Sequence, residues 1–369
     1  MLNNVLSGLE FKAKYGTVFY KFLQSDLVHY GFKYQLGLNV DTQPFDPKGS
    51  CRKGGLYFTD IQNLLNFLDH GEYIALIEIP DDSQIYVEDS SKFKADKVVI
   101  KKILDTENEI LELFKTAQVQ SQFDICLFAA INGHLEILKW GRENGCSWNG
   151  QVCAYAALNG HLETLKWART NGCPWDERTC ACAAENGHLD ILKWARANGC
   201  SWNEETCTSA AENGHLETLK WARANGCPWD KSTCTVAAAN GHLETLKWAR
   251  ANGCSWDKQT CKAAAANGHL ETLKWARANG CSWDEQTCTY AAMNGHLETL
   301  KWAKANGCPW DELTCEYAAS NGHLEILKWA RDHGCRWDEE TCASAAQNNQ
   351  LEILKWTKEN ECQCEGKYH

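Results

Sequence analysis

Apolar residues recur at helical spacing in a pattern that returns every 27 residues along most of the chain. One copy places Cys180, Ala183 and Ala184 at i, i+3 and i+4, which predicts a first helix with a narrow apolar stripe. The stripe consists of small side chains, so a neighbouring helix can approach closely. Asp176 precedes the segment and is a natural N-cap residue.

A second apolar segment follows in the same copy. Leu189, Leu192 and Ala195 predict one face of a second helix, and Trp194 covers its flank. Asn-Gly steps follow both segments, and glycine ends helices because it adopts the left-handed conformation. Each unit is therefore predicted to be a pair of short antiparallel helices joined by tight turns.

A histidine marks each unit and gives the period. It stands in the block Asn-Gly-His-Leu at positions 134, 161, 188, 215, 242, 269, 296 and 323. A fixed period of this length is typical of a solenoid, in which each unit buries its apolar face only against its neighbours. The repeats cover about residues 121 to 364 and are expected to form a surface, not a catalytic centre.

The repeat resembles the ankyrin repeat. The stretch 183–189 reads Ala-Ala-Glu-Asn-Gly-His-Leu and is similar to that family's Ala-Ala-x-x-Gly-His-Leu, and Gly187 and Gly199 keep the family's distance between turns. Ankyrin units have about 33 residues. The missing residues fall where that family has its β-hairpin finger, so the fingers are expected to be shortened.

Short Trp- and Cys-rich units of this kind resemble the ankyrin arrays of giant DNA viruses. The resemblance implies a viral protein-interaction scaffold that binds a protein partner, of the host or of the virus itself, in the cytoplasm of the host. The expected fold class is an α-solenoid of helix-turn-helix repeats preceded by a small α+β domain.

We predict three segments: an α+β domain over 1–105, a capping half-repeat helix over 106–120 and about nine repeats over 121–369. Thr106 to Glu109 form a capping box that opens the cap helix. At the other end, Asn349 and Gln350 replace the Gly-His pair. In the N-terminal domain the patterns predict strands at 73–79, 83–87 and 97–103, a turn into a strand at 54–59, and a helix at 60–68.

Cysteine is abundant, and 18 of the 21 cysteines occupy two ladders, from Cys126 to Cys342 and from Cys146 to Cys362. The spacing Cys-x6-Cys between Cys173 and Cys180 is unlike the tight spacing of zinc sites. We expect the thiols to act as small buried apolar groups. Metal, redox and disulfide chemistry stay open as alternatives.

The histidine ladder is expected to satisfy backbone groups at the turns, since a catalytic or metal-binding set is not normally copied eight times. No metal and no cofactor are therefore expected for the repeats, and we expect the chain not to be an enzyme.

Charge and hydropathy narrow the class of partner. Residues 106–369 hold 25 Lys and Arg against 34 Asp and Glu, a net charge of −9. An acidic array disfavours nucleic acid and anionic membranes as partners. No signal peptide and no apolar run of about 18 residues are seen, so a cytoplasmic location is expected.

Variation between units indicates the binding face. On the first helix the residues at two positions differ from unit to unit, and the candidate binding residues are Tyr155, Tyr290, Tyr317, Met293 and Glu212. Repeats that keep their core and vary one face suit protein binding. Neutral drift on a solvated face, or packing of the rings against a neighbouring helix, are the alternatives.

One segment of the N-terminal domain carries an enzymatic alternative. Gly55-Leu56-Tyr57-Phe58 is similar to the Gly-Ile-Tyr-Phe segment of ADP-ribosyltransferases. The resemblance implies a nicotinamide-stacking role for Tyr57, with His29 upstream and Glu78 or Glu88 downstream. The alternative function is therefore an ADP-ribosyltransferase-like effector that the array targets.

Overall fold

The computed structural model describes residues 5–48, 52–89, 91–119 and 122–360. The chain divides into two compact units, Met1–Trp175 and Asp176–His369. In their described parts, the first unit holds the strands and the first helices of the array, and the second holds only helix pairs. The predicted segment boundaries at residues 105 and 120 stay predictions, and the last ladder position, Cys362, lies outside the described residues.

Antiparallel strands form two four-stranded sheets and one two-stranded ribbon in the described N-terminal region. The strands are β1 (Val5–Ser7), β2 (Phe19–Leu23), β3 (Val28–His29), β4 (Phe32–Lys33), β5 (Gly37–Val40), β6 (Leu56–Phe58), β7 (Tyr73–Glu78), β8 (Gln84–Val87), β9 (Phe93–Ala95) and β10 (Lys97–Leu104). The sheet orders are β1-β8-β9-β6 and β2-β7-β10-β5, and β3 pairs with β4. A single bridge between Tyr20 and Thr59 joins the two sheets.

An aromatic cluster fills the core of this region. Helix α1 (Gly8–Tyr15) brings Phe11 to within 4.9 Å of both Phe19 and Phe93, measured between ring centroids. The rings are fully buried and meet at tilted or edge-to-face angles, which adds to the burial energy of the side chains. The cluster holds α1 against strands of both sheets.

The predicted strands at 73–79, 83–87 and 97–103 are confirmed as β7, β8 and β10. The predicted helix at 60–68 is wrong in type and in start, because a 3-10 helix runs over Leu64–His70. The Asp60 carboxylate accepts hydrogen bonds from the backbone N–H groups of Gln62 (2.9 Å) and Asn63 (3.0 Å). Asp60 thus caps a turn over residues 61–63, but the helix begins only at Leu64 and is interrupted at Phe67, whose φ of −121° and ψ of 31° are non-helical.

The array is a series of helix pairs over the described residues 122–360, preceded by the cap helix α2 (Glu107–Ala117). The first helices are α3 (Gln122–Asn132), α5 (Gly150–Leu158), α7 (Glu177–Glu185), α9 (Glu204–Glu212), α11 (Lys231–Ala239), α13 (Lys258–Ala266), α15 (Glu285–Met293), α17 (Glu312–Ser320) and α19 (Glu339–Gln347). The second helices are α4 (Leu135–Glu143), α6 (Leu162–Thr170), α8 (Leu189–Ala197), α10 (Leu216–Ala224), α12 (Leu243–Ala251), α14 (Leu270–Ala278), α16 (Leu297–Ala305), α18 (Leu324–Asp332) and α20 (Leu351–Glu359). No strand occurs between residues 122 and 360, which agrees with the predicted shortening of the fingers to tight turns.

Local hydrogen bonds set the ends of these helices. The Asp176 side chain accepts a bond from the Arg178 N–H (3.1 Å), which confirms the predicted N-cap. At the other end of α7, the His188 N–H donates to the carbonyl of Ala183 (2.8 Å), as in a Schellman motif. Leu189, predicted on the buried face of α8, is only half-buried because it is the first residue of the helix, and Ile191 occupies the core.

Tryptophans cover the outer flank of the array. The Trp229 ring meets the Trp248 ring of the next repeat edge to face, with 5.9 Å between ring centroids. The Arg223 guanidinium lies 4.3 Å from the Trp229 ring centroid, within cation–π distance. The same edge-to-face pairing recurs from Trp202–Trp221 to Trp337–Trp356 in the second unit, so each indole links two neighbouring repeats.

Cysteines line the interior of each repeat. The ladder thiols between Cys153 and Cys335 are buried, which agrees with the predicted packing role. Cys126 and Cys146, in contrast, are joined by a disulfide, so the expectation of packing alone is wrong in this first repeat. Their Cα atoms lie 6.4 Å apart, within the range that a disulfide spans.

Candidate interaction face and N-terminal pocket

The candidate face lies on the first helices, where consecutive repeats carry different residues at the same position. Tyr155, Tyr290 and Tyr317 keep 36%, 37% and 37% of their surface exposed. The residues one and two positions after each tyrosine are buried alanines, so each ring stands beside a packed core. An aromatic ring of this exposure on a rigid support is able to contact a partner.

The other candidate residues flank these rings. Met293 is half-buried and lies three residues after Tyr290, and Glu212 is exposed at the same place in its own repeat. Leu313 is 41% exposed and was not among the predicted residues. It precedes Tyr317 by four residues, and this helical spacing is the sequence signal that identifies it.

A cation and several carboxylates border the rings. The Lys262 Nζ lies 5.0 Å from the Tyr290 ring centroid and donates a hydrogen bond to Gln286 Oε1 (3.3 Å). Burial, followed by the charges of Glu312 and Glu285, raises the pKa of the Asp311 carboxyl. The border around α15 and α17 is therefore acidic and holds a carboxylate that a cation would stabilise.

Histidines fix the position of one repeat against the next. The Nε2 atom of His323 lies 3.0 Å from the Met293 carbonyl oxygen of the preceding repeat, and His161 makes the same contact with Ile131 in the first unit. These contacts confirm the predicted structural role of the histidines at both positions. The candidate residue Met293 thus has its backbone held by the following repeat.

Gln350 takes the place of histidine at the end of the described array. Its Nε2 donates to the carbonyl of Ser320, 3.3 Å away and 30 residues back, as a histidine does elsewhere. The amide side chain therefore preserves the link between repeats where the Asn-Gly-His block is lost.

Two neighbouring cavities lie in the N-terminal region, and His29 lines both. The His29 ring lies 4.5 Å from the Tyr30 ring and 5.1 Å from the His70 ring, and its Nδ1 is 3.0 Å from the Lys21 Nζ. Burial, then the charges of Lys21 and His70, lowers the pKa of His29 to about 3. The imidazole is therefore neutral at physiological pH.

Tyr57 lines the same two cavities as His29, as the enzymatic alternative requires. The Lys92 Nζ lies 4.7 Å from the Tyr57 ring centroid and 3.6 Å from Glu88 Oε2. The cavity that His70 and Lys92 also line has a volume of about 40 Å³, and the other has a volume of about 510 Å³, a size that accommodates a small organic ligand.

Glu78 stands apart from this group. It is exposed on β7 and forms an ion pair with Lys101 (3.0 Å). Of the two glutamates considered from the sequence, Glu88 is the one that lies near Tyr57. Sequence reasoning missed Lys21, His70 and Lys92, because residues so far apart in the chain share no local pattern.

Comparison with known proteins addresses the array. A model of the family described as ankyrin repeats (many copies) matches residues 207–250, 234–277, 261–303 and 288–331. An ankyrin repeat protein of Acanthamoeba polyphaga mimivirus is 40% identical over 80 residues, which cover 20% of this chain and 26% of the viral protein. A second ankyrin repeat protein from the same virus is 34% identical over 100 residues, which cover 26% of this chain and 50% of the viral protein. The chain contains ankyrin repeats and is similar over them to ankyrin repeat proteins of this giant virus.

The matches span half or less of these viral relatives' own length, so they describe the repeats and leave the N-terminal domain unassigned. Among solved structures, the human ASB11 ankyrin repeat domain aligns with a TM-score of 0.40 at 17% identity, covering 48% of this chain and 96% of that one. Within the described residues, no helix is both long and apolar enough to cross a membrane. The same residues contain no cluster of three or more potential metal ligands from His, Cys, Asp and Glu.

Proposed function

We propose that this ankyrin-repeat protein is an interaction scaffold that binds a protein partner through the first-helix face around Tyr290 and Tyr317. Ankyrin repeats are generally protein-interaction scaffolds, and this face is the finer assignment. The observation that carries it is the exposure of two tyrosines at the same variable position of adjacent repeats, above cores that do not vary. Binding energy concentrates at such aromatic positions.

Charge favours a partner with a basic segment beside an apolar one. Leu313 and Tyr317 offer apolar surface on α17, and Asp311 at the start of that helix has a raised pKa that a cation would reverse. We expect Asp311→Asn to weaken binding, and to do so more at low than at high salt, because salt screens the lost attraction. Equal weakening at both salt concentrations would exclude the charge contribution.

The test compares two double variants of the full chain in quantitative affinity capture. Tyr290→Ser/Tyr317→Ser removes both rings and introduces the residue found naturally at positions 209 and 344. The matched control, Glu244→Ser/Glu271→Ser, changes two exposed residues of second helices. Each chain is immobilised on a resin as bait and incubated with a lysate of Acanthamoeba cells. These cells are chosen because the viral relatives come from Acanthamoeba polyphaga mimivirus.

We expect the tyrosine variant to retain about a tenth or less of the partner that the wild-type chain retains, which corresponds to about 1.4 kcal/mol or more. The glutamate variant should capture as the wild type does. Circular dichroism must show both variants folded. Undiminished capture by the folded tyrosine variant would move the site off this face.

A second function, an ADP-ribosyltransferase-like effector domain, is favoured by one observation: His29 and Tyr57 line one cavity. Glu88 lies near Tyr57, because the Lys92 ammonium contacts both the Tyr57 ring and the Glu88 carboxylate. Incubation of the full chain with radiolabelled NAD tests it. Transfer or hydrolysis should be lost in Tyr57→Ala and kept in Glu78→Gln, which lies outside the cavity. Turnover no greater than that of Tyr57→Ala would end this alternative.

A further inference from the structure

The two cysteine ladders meet inside each repeat. A thiol on the first helix contacts the thiol 20 residues later, in the turn after the second helix. The pairs are Cys153–Cys173 in the first unit and Cys180–Cys200, Cys207–Cys227, Cys234–Cys254, Cys261–Cys281, Cys288–Cys308 and Cys315–Cys335 in the second. The pairing therefore joins residues 20 apart, not the residues seven apart that are neighbours in the sequence.

A fixed hydrogen-bond chain orients each pair. The Cys254 thiol donates to the Asp230 carbonyl (3.2 Å), while the Cys234 thiol contacts the Cys254 sulfur. The Thr233 N–H also donates to the Asp230 carbonyl (3.3 Å). The loss of the thiol proton of Cys254 would therefore leave that carbonyl with a donor, so nothing buried is orphaned.

The first repeat carries a disulfide at these same two ladder positions, Cys126 and Cys146. Seven further repeats place two thiols in contact at positions of identical spacing, and both partners of each pair are buried. Packing alone explains a small apolar side chain at each position. It does not explain why two sulfurs face each other in each of these seven repeats.

We propose that each of these thiol pairs is a site of reversible disulfide formation with a low-molecular-weight disulfide such as oxidised glutathione. Because both sulfurs are buried in the closed repeat, the reaction requires a local opening of the helix pair. In the opened repeat the Cys254-type thiolate attacks the glutathione disulfide, forms a protein–glutathione mixed disulfide and releases one glutathione thiolate. The Cys234-type thiolate then attacks the bound protein sulfur and releases the second. Two protein thiols and one oxidised glutathione become one protein disulfide and two reduced glutathiones.

The electrostatic setting separates the two sulfurs of the Cys234–Cys254 pair. The bond from Cys234 lowers the pKa of Cys254, and the Arg223 charge contributes in the same direction. The bond to Cys254, followed by burial, raises the pKa of Cys234. The thiol in the turn is therefore the attacking group, and the thiol on the first helix closes the ring.

The test uses the full chain equilibrated in buffers of reduced and oxidised glutathione, then quenched with acid and alkylated. Mass spectrometry of the intact alkylated protein should show two alkyl groups fewer for each closed pair. After trypsin, peptide 232–247, which contains Cys234, should be joined to peptide 251–258, which contains Cys254. Reduction should reverse both signals.

Two variants make the result specific. Cys234→Ser should abolish this linked peptide and leave Cys254 carrying glutathione. Cys182→Ser, which changes a cysteine outside both ladders, should alter nothing. Linkage of Cys227 to Cys234, linkage between chains, or thiols that stay reduced in buffers that oxidise the unfolded chain would each overturn the proposal.

Discussion

Two glycines of one repeat offer a direct test of the contact between a glycine turn and the histidine ring of the next repeat. Gly241 and Gly253 both have left-handed backbone, with φ of +73° and +87°. A Cβ atom on Gly241 would lie 2.5 Å from Nδ1 of His269 in the next repeat, whereas a Cβ on Gly253 would meet nothing within 4 Å. Alanine at the two positions therefore imposes the same backbone strain but only one clash.

The magnitudes follow from these distances. Left-handed backbone costs an L-residue about 1–2 kcal/mol, and reduced freedom of the unfolded chain returns about 0.4–1 kcal/mol of this. Gly253→Ala should therefore lose about 1 kcal/mol of unfolding free energy. Gly241→Ala adds overpacking against the imidazole of about 1–3 kcal/mol. We expect its total loss to be about 2–4 kcal/mol.

Urea unfolding followed by tryptophan fluorescence measures both losses, because all 17 tryptophans lie in the repeats. In a His269→Ala background the additional cost of Gly241→Ala should largely disappear, while that of Gly253→Ala should not change. Equal losses for the two glycine variants in the wild-type background would refute the view that the histidine ring occupies the space above Gly241.

Two further predictions concern the stack and the N-terminal cavity. Trp248→Ala removes a half-buried ring and its edge-to-face contact with Trp229, so it should cost about 3 kcal/mol of unfolding free energy and split the urea transition of the second unit. Trp356→Ala should only fray the end of the array. Equal loss of cooperativity in both variants would contradict nearest-neighbour coupling. The lowered pKa of His29 means that the unfolded chain binds this proton more readily, so stability should fall as the pH drops from about 6.5 towards about 3. His29→Gln should remove part of that dependence, and an NMR titration midpoint of His29 near 6.5 would show the inference to be wrong.

The periodicity of the sequence was sufficient to predict the array. Asp176 caps α7 through a bond within two residues of the chain, and the small residues of the stripe at Cys180, Ala183 and Ala184 are buried because their helical spacing places them on one face. The prediction of the N-terminal strands succeeded for the same reason. It failed at residues 60–68, where Asp60 caps only a turn and the segment from Leu64 is a 3-10 helix with non-helical backbone at Phe67, a departure that the helical spacing of the leucines does not encode.

Pairings between distant residues lay outside the reach of periodicity. The contact between Cys234 and Cys254 is hidden because the two ladders fix only a spacing along the chain, which fits neighbours seven or 20 residues apart equally well. The cavity around His29 brings Lys21 and His70 together through sheet topology, which no local pattern encodes. The exposure of Tyr290 and Tyr317 was expected from their variation, but what binds there depends on a partner that this chain does not encode.

Photo-crosslinking tests most directly whether a partner binds the first-helix face. A benzophenone amino acid replaces Tyr317 in one full-length chain and Glu325, exposed on the second helix of the same repeat, in another. Irradiation of each chain with the captured partner should give a covalent adduct from position 317 and none from position 325. An adduct from position 325 alone, or equal yields from both, would contradict the assignment of this face.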